Sequence, residues 1–130
     1  MAQYKAAGEV LDKLALGKGG SVKNLIYKSS FRDKRVLYGL VGRTLEQLEV
    51  VREIQRRSPS FEESFGNLGV GHRQVLIYDV VLGKGIRGGG RLKRGVMEHQ
   101  AELSEALGAV LADRGVGSAK ELVREEAGFW

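Results

Sequence analysis

The sequence predicts an all-α protein, a compact bundle of about six or seven helices. Three observations lead there. Apolar residues recur at three- and four-residue spacing through most of the chain, which puts them on single helix faces. Ser, Thr and Asp stand where those faces begin, and glycines stand where they end. No segment upstream of residue 75 alternates as a half-buried strand does. A length of 130 residues fits one domain, 1–130, with enough surface to bury for one core. The 42% apolar and 28% charged fractions are those of a globular chain and exclude an intrinsically disordered one.

Residues 2–16 form the first predicted helix, with Tyr4, Ala7, Val10, Leu11 and Leu14 on one face. Gly17-Lys18-Gly19-Gly20 stops it. Ser21 N-caps a short helix, Val22–Lys28, whose Val22, Leu25 and Ile26 point inward. Lys18, Lys23 and Lys28 are read as a solvated face. From Asp33 a third helix buries Val36, Leu37, Leu40 and Val41, with Tyr38 on that stripe or at its edge. Gly39 and Gly42 each cost about 1 kcal/mol in a helix interior. Thr44-x-x-Gln47 has the pattern of a capping box, so a break near Arg43 is expected. Leu45, Leu48, Val51 and Ile54 are then the core face of the next piece. Ser58-Pro59-Ser60 is the clearest boundary, because the residue before proline avoids helix. Residues 58–71 read as a connection between two halves of one domain, with Phe61 and Phe65 pinning it to the core.

The run Val75–Leu82, VLIYDVVL, fits either a buried strand or a helix apolar nearly all round. No companion strand exists to pair with it, so a central helix is expected. Asp79 is its odd residue. The bland account places Asp79 on a wet edge or pairs it with a buried Arg or Tyr. Residues 96–113 then form one regular helix, with Val96, His99 or Gln100, Leu103, Leu107, Val110 and Leu111 along a stripe. Glu98, Glu102 and Glu105 fall on its opposite side or flanks. Gly115-Val116-Gly117 ends it, and Ser118 caps a last helix, 119–127, with Leu122 and Val123 inward. The chain stops on Phe129-Trp130. Intact chains rarely end on large aromatics, so a truncated sequence is expected.

Between the central run and the 96–113 helix lies Gly83–Gly95, GKGIRGGGRLKRG, expected to be a loop. It carries five cations, Lys84, Arg87, Arg91, Lys93 and Arg94, and no acid. Those five equal the whole net charge of +5, so the rest of the chain is neutral. Charge confined to one segment points to a local site for an anionic partner rather than general adhesion. Glycines Gly83, Gly85, Gly88, Gly89 and Gly90 remove side-chain bulk, so backbone N–H groups and arginines can approach a sugar-phosphate chain. The alternative is a solvated basic loop without a partner. Gly83, Gly85 and Gly88 also spell GxGxxG, but a dinucleotide cradle needs a βαβ unit that this chain does not supply. A P-loop needs Gly-Lys-Ser/Thr, and Gly90 is followed by Arg91-Leu92.

Zero cysteines exclude disulfides, thiolate metal sites and a cysteine nucleophile. His72 and His99 stand alone, without metal-ligand spacing, and read as structural, so no metal site and no catalytic residue is assigned. Tyr4, Tyr27, Tyr38 and Tyr78 are spaced as core aromatics, with base stacking the minority role. No apolar stretch approaches 18 residues, so no membrane span is expected.

Three stretches carry a resemblance: Gly20–Tyr27 (GSVKNLIY), Val36–Val41 (VLYGLV) and, most specifically, Val75–Gly90 (VLIYDVVLGKGIRGGG). With Tyr4 and Val10-Leu11 they make the chain resemble the N-terminal region of Sun-domain RNA cytosine-5 methyltransferases. The branch is the one acting on large-subunit ribosomal RNA. The resemblance spans most of residues 4–120 and is poorest at 58–71. It implies an all-helical accessory module related to NusB-like RNA-binding bundles, in a nuclear or nucleolar protein. It also implies a following Rossmann-like domain that binds S-adenosylmethionine and works through two cysteines. That domain is absent here, so no catalytic residue and no cofactor carries over to this chain. The implied role is to hold or orient ribosomal RNA, or to dock on the protein's own catalytic domain without touching RNA.

Overall fold

The computed structural model describes residues 2–119 and 121. Among them there are eight helices and no strand. The expected helix 119–127, with Leu122 and Val123, and the Phe129-Trp130 end lie largely or wholly outside the described residues.

The first helix, α1 (Ala2–Ala15), buries Tyr4, Ala7, Val10 and Leu11, as its periodicity requires. The second, α2 (Val22–Lys28), starts where the Ser21 hydroxyl accepts the Asn24 N–H at 3.2 Å. Beyond its end, the Lys34 ammonium donates to the carbonyls of Ser29 (2.5 Å) and Phe31 (2.7 Å). Asp33 caps α3 (Lys34–Glu46) through the Val36 N–H. Then come α4 (Leu48–Arg56) and α5 (Pro59–Ser64), with proline in the first turn, where its missing N–H costs nothing. The N–H groups at the start of α5 are met from afar. Glu102 accepts from Ser60 at 3.0 Å and from Phe61 at 2.8 Å.

The central helix is α6 (Val70–Val81), and the run VLIYDVVL forms most of it. Every residue from Gln74 to Asp79 is buried. It packs against α1, α3, α4 and α8 (Gln100–Arg114), while α7 (Gly90–Glu98) leads into α8. The α1–α6 pair is antiparallel and closest at Gly8 and Gly71. A Cβ on Gly8 would sit 2.4 Å from the backbone of His72, and one on Gly71 would sit 2.3 Å from the Gly8 carbonyl oxygen. Asp12 locks the same crossing by accepting the Gly71 N–H at 2.8 Å, which places a carboxylate at the N-terminus of α6.

Four local expectations need correction. The third helix breaks at Gln47, not near Arg43, because the Thr44 hydroxyl donates back to the Leu40 carbonyl (2.7 Å) instead of capping a new helix. The 96–113 helix is two, joined at His99, whose ring packs edge-on against Phe61 and Phe65 (centroids 5.9 and 5.8 Å apart). Val36 and Tyr38 are exposed (40% and 41%), because α3 buries only the narrower stripe Leu37, Leu40, Val41 and Thr44. Tyr27 is 66% exposed, so only Tyr4 and Tyr78 are core tyrosines. Gly115 adopts the left-handed conformation (φ 68°), and Val116 donates to Leu111 at 2.9 Å, so the chain leaves α8 as the glycines indicated.

Candidate functional site

The site is built where α6 runs out. Leu82 and Gly83 both donate to the Tyr78 carbonyl at 2.8 Å, which tightens and ends the helix. Gly85 then donates to the Asp79 carbonyl at 2.8 Å and turns with φ 94°. That conformation favours glycine, as does φ 103° at Gly88. Between them Ile86 plunges into the core at 6% exposure and anchors the loop. A Cβ on Gly83 would lie 2.4 Å from Asp79 Oδ1, so the carboxylate occupies the space a side chain would need.

Tyr4 joins the N-terminal helix to this loop. Its hydroxyl donates to Asp79 Oδ2 at 2.5 Å and accepts the Arg87 N–H at 2.9 Å. This is the tyrosine partner that Asp79 needed in the middle of an apolar run. Burial pushes the Tyr4 phenol up to about 12. The Arg87 amide pulls it down, and the hydrogen bond to Asp79 and the charge of Asp79 push it up again. Tyr4 therefore stays a neutral donor at any physiological pH.

A cleft of about 90 Å³ opens above this network. Tyr4 and Asp79 form its buried floor, with Gln3 beside them. Val36 and Leu40 of α3 line one wall, and Arg43, Lys84 and Arg87 stand exposed around it. Val36, Leu40 and Arg43 share one face of α3 at i, i+4 and i+7 spacing. Gly39 makes room for Arg43. The guanidinium Nη2 lies 2.8 Å from where a Cβ on Gly39 would be, so the side chain folds back along the helix.

Lys84 and Arg87 thus lie at the cleft, in the segment expected to hold them. Arg91, Lys93 and Arg94 do not belong to a loop. The loop ends at Gly89, and Gly90–Glu98 is helical. Leu92 and Val96, an i, i+4 pair packed on the core, hold that helix down, and Arg, Lys and Leu are good helix formers. Arg91 and Arg94 are exposed one turn apart, while Lys93 is half-buried, roughly 200° round from Arg91. Among the described residues none of the five cations pairs with a carboxylate. The GxGxxG glycines follow a helix rather than a strand, which removes the dinucleotide reading. No group of His, Asp and Glu among the described residues could hold a metal ion. None of their helices is long and apolar enough to cross a membrane.

Arg43, Val36 and Tyr4 were not legible as site residues. Val36 and Tyr4 read as core, and Arg43 only as a break. The available signal was the Val36-Leu40-Arg43 spacing, which puts a cation on an apolar helix face.

Comparison with known proteins adds two findings. The family model described as NOL1/NOP2/Sun domain family member 5, N-terminal domain, matches residues 35–123. The chain is also 34% identical over 128 residues to a Mus musculus protein named 28S rRNA (cytosine-C(5))-methyltransferase. That match covers 98% of this chain but only 27% of the relative, so the chain spans about a quarter of the relative's length. No solved structure matches the chain.

Proposed function

This chain belongs to the N-terminal domain family of NOL1/NOP2/Sun domain family member 5, and from that premise we propose that it is the non-catalytic RNA-holding module of an rRNA cytosine-C5 methyltransferase. In this reading S-adenosylmethionine and the catalytic cysteines belong to a separate domain, since the chain has no cysteine. Its substrate is ribosomal RNA and its place of work the nucleolus. The single observation that carries the reading is the set of cations that pair with no carboxylate among the described residues, Lys84 and Arg87 on a pinned loop followed by Arg91, Lys93 and Arg94 on α7. Glycines at 88–90 add no side-chain bulk beside these cations, so a phosphate chain can approach the backbone there, while the Gly83 and Gly85 N–H groups are held by α6 carbonyls. Each cation that neutralises a phosphate releases a counterion and steepens the salt dependence.

The test is fluorescence anisotropy with single-stranded RNA across a salt series. The variant changes Arg87, Arg91, Lys93 and Arg94 to Ala. Loss of four phosphate contacts is expected to weaken binding and flatten the slope of log K against log salt by up to about 3. An unchanged affinity and slope would refute it.

One observation favours a second reading, docking on the catalytic domain without RNA contact. An apolar groove of about 650 Å³ runs between Leu11, Leu14 and Leu16, Leu45 and Leu48, and Val70. Leu16 is 69% exposed and Val70 50% exposed beside it. This reading expects no RNA binding by residues 1–130 and tight association with a catalytic domain supplied separately.

A further inference from the structure

We propose that the cleft beneath the basic loop is a pocket for one unpaired RNA base, with a preference for guanine. The inference rests on the RNA-binding reading and adds a base-specific site to it.

The order of groups with depth carries the argument. Cations stand at the exposed rim: Arg43, Lys84 and Arg87. The wall is apolar, from Val36 and Leu40. The floor is the buried Tyr4–Asp79 pair, with Asp79 at 5% exposure. A site for phosphate alone would not place a carboxylate at its floor, because like charges repel. A nucleotide entering base first matches every layer. Its phosphate stays at the cationic rim, its ring faces lie along Val36 and Leu40, and its polar edge meets the floor. A volume of about 90 Å³ suits a single ring system and excludes a helix of RNA. A base held in a duplex cannot reach such a floor, so the pocket selects loops, bulges or ends.

The floor chooses among bases by hydrogen-bond polarity. Among the described residues Asp79 receives one side-chain hydrogen bond, from Tyr4 to Oδ2. Asp79 Oδ1 is the remaining acceptor of this floor residue, lodged in the space that a side chain on Gly83 would need. Guanine presents two adjacent donors, N1–H and the 2-amino group, to a carboxylate. Uracil presents one donor flanked by two carbonyl oxygens, which the carboxylate repels. Tyr4 and the Arg87 amide hold Asp79 in place, so the acceptor is positioned before the base arrives.

The experiment uses chain 1–130 and two fluorescent probes, an oligouridylate and the same oligouridylate with one central guanosine. The unaltered chain is expected to bind the guanosine probe about tenfold more tightly. Val36→Phe fills the cleft from an exposed position and leaves the charge unchanged. It is expected to bring the two affinities together while keeping the salt slope, since no charge changes. Asp79→Asn, if folded by circular dichroism, is expected to lose the guanosine preference as well. Equal binding of both probes by the unaltered chain, with salt dependence retained, overturns the pocket and leaves the RNA-holding reading standing. A preference that survives in Val36→Phe also overturns it. Binding of neither probe at low salt sinks both readings together.

Discussion

His72 shows how one buried group ties stability to pH. It sits against Gly8 in the α1–α6 crossing, and its Nε2 has no hydrogen-bond partner among the described residues. Burial lowers its pKa from the usual 6.5, and the Lys5 charge lowers it further against weaker opposition from Glu9 and Asp12. In the unfolded chain the imidazole takes a proton near 6.5, while the folded form resists it. The unfolded state then binds more protons, so stability falls as pH drops below that value. Above it both states are neutral and the contribution is complete. Urea unfolding between roughly pH 7 and pH 5 should show a decline that His72→Gln lessens. Equal slopes in the two proteins would mean that other groups govern the acid side. Asp79 teaches a related lesson. The sequence flagged it as a carboxylate in an apolar run that needed a partner, but Tyr4 lies 75 residues away and nothing local identifies it.

At the scale of elements, glycines divide into those that packing requires and those that it tolerates. Gly8 and Gly71 let α1 and α6 touch backbone to backbone, and Asp12 then reaches the start of α6. Gly8→Ala should cost about 1–3 kcal/mol or more, because its Cβ meets backbone that cannot rotate away. Gly108, in the middle of α8, has nothing within 4 Å of its Cβ position. Gly108→Ala should therefore stabilise the chain by up to about 1 kcal/mol. Thermal melts of the two variants decide the matter, and a shared direction would refute this account of the crossing. The breaks in the helices follow the same rule. Apolar spacing located α3, α4 and α8 as helical regions but only the end of α7, whose first turns were read as loop. Gln47 became a joint where Thr44 bonds back to Leu40, and His99 where α8 meets α5. His99 turns to face Phe61 and Phe65, and Glu102, a residue expected on a flank, spends its carboxylate on the N-terminus of α5.

Across the whole molecule, one cluster of buried residues runs from Tyr4 in α1 to Val110 in α8, with α6 in contact with four other helices. The 58–71 connection joins two parts that share this core. Phe61 is fully buried in it, and Glu102 holds the connection from α8. We therefore expect residues 1–130 to unfold as one unit. Amides of α1, α6 and α8 should exchange through a single global opening, with the free energy measured by denaturant unfolding. Two distinct opening free energies, one for α1–α3 and one for α6–α8, would divide the chain into separate units. The charge pattern acts at this scale as well. With the net +5 concentrated in residues 83–95, the field is local, and its effect on an anionic partner fades within a Debye length of roughly 8 Å at physiological salt.

The sequence by itself determined the helical class, the central place of VLIYDVVL, the cap at Ser21, the helix start at Asp33, the glycine exit at Gly115 and the cationic segment. Each of these rests on forces between residues a few positions apart, or on the plain excess of apolar side chains in one run. Only the tertiary structure decided that the cationic segment is half loop and half helix. It also decided that Tyr4 clamps the loop to Asp79, and that Val36, Leu40 and Arg43 face the cations across a cleft. Those relations join residues 40 to 80 positions apart. The relative placement of α1, α3 and α6 that creates them is set by a glycine crossing and a shared core, which no local pattern encodes.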